Sequence, residues 1–149
     1  MYLISYGTRP ELIKLFPLIN IFKENNIDHK TIFTGQHEDL IKEFENLTHR
    51  PDFVLEKTMK HKQSINSLIY KIINESQKII NSYDCKVIIQ GDAASSFAVA
   101  LSAFNEGKEV IHVEAGLRTH NLRSPFPEEG FRKMISHISN IHFCPTIKS

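Results

Sequence analysis

Residues 86–116 read KVIIQGDAASSFAVALSAFNEGKEVIHVEAG, and this stretch decides the fold. Val87-Ile88-Ile89 is apolar at consecutive positions, so both faces of an extended segment would be buried, as in a central parallel strand. Ala93 to Asn105 is rich in small residues and reads as a helix, with Gly107 as its stop. Val110 to Val113 is a second buried strand. Strand, helix and strand within about thirty residues is a βαβ unit, and parallel strands joined this way need a covered sheet.

The same alternation extends in both directions. Upstream, Tyr2 to Tyr6 reads as a buried strand ended by Gly7. Pro10 then occupies a tolerated first-turn position, and Leu12, Ile13, Leu15, Phe16, Leu18, Ile19 and Phe22 recur at helical spacing to about Glu24. Pro17 is expected to kink or tighten that helix. Lys30 to Phe33 reads as strand two, Gly35 to Asn46 as a helix, and Phe53 to Leu55 as a short third strand. Ser64 caps a long helix whose apolar face is Ile65, Leu68, Ile69, Ile72, Ile73, Ile79 and Ile80. Downstream, Glu128 to Ser139 is a helix entered through Pro125 and Pro127, and Ile141 to Phe143 is a sixth strand. The fold class is α/β, a doubly wound, Rossmann-like parallel sheet with the expected order 3-2-1-4-5-6. The reading treats 1–149 as a single domain, which stops just after strand six where a larger protein would continue.

Composition removes several function classes. Lys and Arg total 18 against 17 Asp and Glu in 149 residues, for a formal charge of +1; no basic surplus exists for nucleic acid or an anionic membrane. The run Lys60-His61-Lys62 is short and reads as a solvated turn. Cys85 and Cys144 fit neither a CxxC pair nor a disulfide framework, and both are expected as buried free thiols in a reducing compartment. The N-terminus lacks a basic n-region and a cleavage site, and no run approaches the roughly 18 apolar residues of a span. A soluble, cytoplasmic protein is expected.

In a doubly wound sheet, ligands bind beyond the carboxyl ends of the strands, near the reversal of strand order. Three loops reach that edge with unusual polar residues: Gly7-Thr8-Arg9-Pro10-Glu11, Gly91-Asp92, and Glu114 to Thr119. Ser124 to Glu129 opens the last helix beside them. Arg9 and Lys14 near a helix N-terminus suit an anion. Asp92 taken singly reads as a cap for the following helix. Glu114 prolongs an apolar strand, so its carboxylate needs a partner or a reaction. Of Glu128 and Glu129, the first-turn dipole accounts for one. Three carboxylates on converging loops, with Arg9, Arg118 and Arg132 near enough to tune them, suit paired acid/base work. His112-Val113-Glu114 begins like a zinc-deaminase signature, but the downstream Cys pair is missing, so no metal is expected; a hydrogen bond to a neighbour accounts for His112.

Together, Gly7-Thr8-Arg9-Pro10-Glu11 with Lys14, Thr34-Gly35-Gln36-His37, Gly91-Asp92, His112 to Thr119 and Ser124-Pro125-x-Pro127-Glu128-Glu129 with Arg132 resemble the non-hydrolysing bacterial UDP-N-acetylglucosamine 2-epimerases. The match is in order and spans nearly the whole chain. The resemblance implies a GT-B architecture of two Rossmann-like domains, of which this chain is similar to the N-terminal one, with the C-terminal nucleotide-binding domain absent. It implies interconversion of UDP-GlcNAc and UDP-ManNAc by elimination and re-addition of UDP, without a cofactor. By position it implies Asp92, Glu114 and Glu128 as catalytic acids, Arg9, Lys14, Arg118 and Arg132 as substrate-binding residues, and Gln36 and Lys62 in an allosteric UDP-sugar pocket. Partners implied are the UDP-sugar, a second chain carrying the missing domain, and a second copy in a homodimer. The sequence departs from the family pattern at Ala93-Ala94-Ser95-Ser96, where threonines are usual, at Phe131, and at Lys62 in place of an arginine. Alone, the domain is expected to turn over little. The competing reading is an inactive remnant that binds a nucleotide sugar or a protein. Modified UDP-sugars and a hydrolysing reaction fit the same motifs.

Overall fold

The computed structural model describes residues 1–35, 50–55 and 63–149. Its described elements are β1 (Tyr2–Tyr6), α1 (Arg9–Glu24), β2 (His29–Phe33), β3 (Phe53–Val54), α2 (Ile65–Asn81), β4 (Lys86–Gln90), α3 (Ala94–Asn105), β5 (Val110–Val113), α4 (Glu128–Ile138) and β6 (Ile141–Phe143). Of the helix expected over 35–46, Gly35 is described and is not helical (φ 73°); residues 36–46 and the Lys60–Lys62 turn lie outside the described residues.

Six strands form one sheet in the order β3-β2-β1-β4-β5-β6, and every pairing is parallel. This is the order expected from the sequence. Its cause is the short apolar strands: Leu3 and Ile4, Val87, Ile88 and Ile89, and Val110 and Ile111 alternate between two buried clusters, so each central strand is covered on both faces. On one face Leu3, Val87, Ile89 and Val110 pack against Leu68, Ile72 and Ile80 of α2, Ala98 to Ala100 and Ala103 of α3, and Ile135 of α4. On the other, Ile4, Tyr6, Phe33, Ile88 and Ile111 meet Leu12, Leu15, Ile19 and Phe22 of α1. Small residues on α3 let that helix sit close to the sheet.

The division of helices follows from connection handedness. From β1 to β2 the chain steps one way across the sheet, and from β4 to β6 it steps the other way; right-handed crossovers then place α1 opposite α3 and α4. The reversal falls between β1 and β4, which pair at Tyr2↔Lys86, Leu3↔Val87 and Ile4↔Ile88. The loops after β1, β4 and β5 therefore leave the same edge as neighbours.

Local signals also match the structure. Ser64 accepts a hydrogen bond from the Ser67 N–H as the cap of α2, and Gly107 (φ 68°) follows the last turn of α3. Pro17 is carried inside α1. One expectation is corrected: Cys85 is buried but Cys144 is exposed, because β6 is an edge strand open at every position. Among the described residues no helix is long and apolar enough to cross a membrane.

Candidate active site

The first wall of the site is the β1–α1 turn. Thr8 is the N-cap of α1, and Thr8-x-x-Glu11 forms a capping box. Glu11 is buried; its Oε2 accepts the Gly7 N–H at 2.5 Å and the Thr8 N–H at 3.2 Å, while Ser96 Oγ donates to its Oε1 at 3.4 Å. Burial pushes the Glu11 carboxyl above its ordinary range, against the lowering effect of these bonds. The Gly7 and Thr8 amides, which could have bound an anion at this helix start, are engaged by the protein's own carboxylate. Arg9 is exposed as the first residue of α1.

Lys14, one turn further along α1, reaches across the strand reversal. Its Nζ meets Glu114 Oε2 at 2.6 Å, and the same oxygen accepts a hydrogen bond from Gln90 Nε2. Gln90 is buried at the end of β4. Glu114 itself has φ 65°, a left-handed conformation that costs a residue with a Cβ about 1–2 kcal/mol. It directly follows β5, and this backbone turn ends the strand and brings its carboxylate over β4. A Cβ built on Gly91 (φ 74°) would lie 4.0 Å from Glu114 Oε2, so that carboxylate sits against the Gly91-Asp92 turn.

Asp92 does not cap α3, as its position in the sequence suggested. The N-cap is Ala93, which makes no side-chain cap bond, and Asp92 Oδ2 pairs instead with Arg132 Nη2. Arg132 Nη1 donates to Glu129 Oε2 at 2.8 Å, and that oxygen also accepts the Thr119 N–H at 3.1 Å. Glu129 is fully buried; the Thr119 N–H, with Arg132 beside it, holds its carboxyl below the usual range. Glu128 opens α4, and its Oε2 is enclosed without a hydrogen-bond partner.

His112 is fully buried, with Nε2 2.8 Å from the Gly91 carbonyl oxygen and Nδ1 unpartnered. Burial depresses its pKa, so it is the neutral imidazole whose Nε2–H donates to that carbonyl. It ties β5 to the turn that carries Asp92. Arg118 turns towards α4, donating from Nη2 to Ser136 Oγ and from Nη1 to the Leu117 carbonyl, each at 2.7 Å. Gln36 and Lys62 lie outside the described residues. Among the described residues no group of three or more His, Cys, Asp or Glu is placed to hold a metal ion.

The structure thus gathers Lys14, Glu114 and the Gly91-Asp92 turn on one side, and Asp92, Arg132 and the first turn of α4 on the other. Reading the sequence missed Gln90, the capping role of Glu11 and the buried bridge through Glu129. Signals for the first two were present: a polar residue ending an apolar strand, and a T-x-x-E box after a strand. Nothing local distinguished Glu129 from Glu128.

Comparison with known proteins gives the family and the fold. A family model described as UDP-N-acetylglucosamine 2-epimerase matches residues 20–149. Curated relatives of that name from Campylobacter jejuni and Salmonella borreze are 37% and 39% identical, over 99% of this chain. The chain spans 39% of the length of each. A crystal structure of UDP-GlcNAc 2-epimerase from Neisseria meningitidis bound to UDP-GlcNAc superposes with a TM-score of 0.92 at 36% identity, covering 99% of this chain and 40% of that one. A putative UDP-N-acetylglucosamine 2-epimerase from Listeria monocytogenes gives a TM-score of 0.92 at 34% identity, covering 99% of this chain and 39% of its own. On the family model, these relatives and the shared fold, the chain belongs to the UDP-N-acetylglucosamine 2-epimerase family and corresponds to its N-terminal part.

Proposed function

We propose that this chain supplies the acid/base wall of an active site that interconverts UDP-GlcNAc and UDP-ManNAc, completed by a further domain. The observation that carries the reading is the contrast among three carboxylates at one sheet edge: Asp92 is held by Arg132, Glu114 is held by Lys14 and Gln90, and Glu128 keeps an enclosed oxygen without a partner. Different surroundings let neighbouring carboxyls take different protonation roles.

Epimerisation at C2 needs that division. A base removes the C2 proton, the C–H electron pair forms a C1=C2 double bond, and the C1–O bond to UDP breaks, leaving the glycal 2-acetamidoglucal and UDP. Return of a proton to C2 from the opposite face, with re-formation of the C1–O bond, gives the epimer. Asp92, Glu114 and Glu128 serve the proton transfers, and Lys14 and Arg9 face the charge developing on the departing diphosphate. Lys14 is paired with Glu114 here, so a diphosphate that engages Lys14 also alters the surroundings of that carboxylate.

The test incubates the chain with UDP-GlcNAc in deuterated water, with and without a polypeptide supplying the remaining part of a relative, and follows exchange at C2. Exchange in the combined sample, strongly reduced but still measurable in Asp92→Asn and Glu114→Gln, is expected. A folded chain that gives no exchange in either sample would sink the proposal and favour a binding module.

A further inference from the structure

Glu128 and Glu129 are adjacent in the first turn of α4, yet their surroundings differ. An acidic residue stabilised by the helix dipole ordinarily sits in solvent above the free amides. Glu129 is instead fully buried. A buried carboxylate is costly unless it is paired and hydrogen-bonded, and Glu129 meets that condition with one oxygen: Oε2 accepts the Thr119 N–H at 3.1 Å and Arg132 Nη1 at 2.8 Å. Arg132 then uses its other terminal nitrogen, Nη2, on Asp92 Oδ2. The Arg132 side chain is itself only 12% exposed.

The geometry points to Glu129 as a positioning residue for Asp92, acting through Arg132. This inference rests on the proposed role of Asp92 in proton transfer. The planar guanidinium has two terminal nitrogens at fixed separation. Anchoring Nη1 on a buried carboxylate fixes where Nη2 lies, and so fixes the carboxylate oxygen of Asp92 that meets it. Glu129 also ties the loop after β5, through Thr119, to the start of α4, so three segments share one buried ionic node. Its negative charge has a second effect: it balances the guanidinium from behind, so that Asp92 does not face an uncompensated cation. Of the two carboxylates that share Arg132, Asp92 keeps 28% of its side chain exposed, whereas Glu129 is wholly enclosed.

The contact pattern also selects the variants. Because Oε2 takes both bonds while Oε1 takes none, Glu129→Gln can keep both acceptor contacts and removes only the charge. Glu129→Asp keeps the charge and withdraws the acceptor by one methylene. Glu129→Ala removes both.

Two measurements test the inference. The first is nitrogen-resolved NMR of arginine side chains on the whole chain, with the Arg132 signal assigned by its loss in Arg132→Lys. The wild-type guanidinium protons are expected to exchange slowly; in Glu129→Asp and Glu129→Ala that protection is expected to vanish while the backbone amide spectrum stays native, and in Asp92→Asn it persists. The second is C2 exchange of UDP-GlcNAc in the combined sample. Glu129→Asp is expected to lower kcat about 100-fold, as small misplacements of a reacting group do, with KM nearly unchanged. Added to Asp92→Asn, it should cost no more than about threefold further, because residues acting as one unit are not additive. Protection that survives in Glu129→Asp, or a loss that adds in full to Asp92→Asn, would overturn the inference. Should Glu129→Ala fail to fold, Glu129→Asp carries both readouts. A wild-type sample without exchange defeats the epimerase reading, and the guanidinium signal then decides the positioning role alone.

Discussion

Replacing Glu11 separates the structural work of the β1–α1 turn from its charge. Glu11→Ala leaves the Gly7 N–H without its acceptor in a buried position, and the Thr8 N–H without its acceptor in a half-buried one. An orphaned buried donor costs about 1–3 kcal/mol, and the Thr8 amide can recover part of its loss from water, so the total is about 2–4 kcal/mol. For a domain of this size that is a fall in Tm of about 5–15 °C. Glu11→Gln keeps an amide oxygen for both N–H groups and removes only the charge. The folded-state pKa of Glu11 is raised by burial, and the sign of the pH dependence follows. Below the ordinary glutamate value both states are protonated and wild type and Gln are nearly alike. As pH rises through that value, the unfolded chain releases its proton first, so wild-type stability falls until the folded carboxyl also ionises. The Gln variant has no such loss, and its stability relative to wild type should grow as pH rises above the ordinary glutamate value of about 4.3. Urea unfolding at a series of pH values measures both quantities. A loss below about 1 kcal/mol for Glu11→Ala, or a Gln difference that stays flat with pH, would refute the reasoning.

His112 predicts a dependence of the opposite slope: its folded pKa is depressed by burial, so the stability present above the ordinary value near 6.5 is lost as pH falls, and His112→Gln should flatten that limb in thermal melts from about pH 7 to 5. Gly91→Ala and Gly107→Ala should each cost about 1–2 kcal/mol in urea unfolding, since both positions have positive φ while neither added Cβ meets an atom closer than 4.0 Å. Unequal costs would show that space rather than backbone conformation governs one of them. Ile72→Ala, at a fully buried position on α2, should lose about 2–5 kcal/mol, whereas Ile13→Ala, 55% exposed on α1, should stay within about 0.5 kcal/mol.

The sheet was legible because its determinants are local and repeated. Apolar runs at Val87–Ile89 and Val110–Val113 mark strands buried on both faces, glycines end them, and helical spacing between them forces crossovers. The ends of elements were less so: β3 holds only Phe53–Val54 and α4 stops at Ile138, because terminal pairing depends on neighbouring strands rather than on the residues themselves. In the site, motif positions placed the acids near one another, but not their partners. Asp92 read as a helix cap, since a lone Asp before a helix usually is one; its link to Arg132 spans forty positions of sequence and exists only once α4 has packed beside α3. The burial of Glu129 rather than Glu128 is likewise set by the direction in which α4 leaves the loop. Cys144 read as buried because free cysteines usually are, and an open edge strand reversed that.

The left-handed backbone of Glu114 has a consequence for how this domain tolerates change. Folding alone would favour glycine at position 114, which adopts φ 65° without the steric penalty borne by a side chain. Selection for thermal resistance without any demand for activity should therefore erode this glutamate early, and, on the role in proton transfer proposed for it, a more robust but chemically silent protein would emerge. On that proposed role, stability and chemistry pull in opposite directions at this residue.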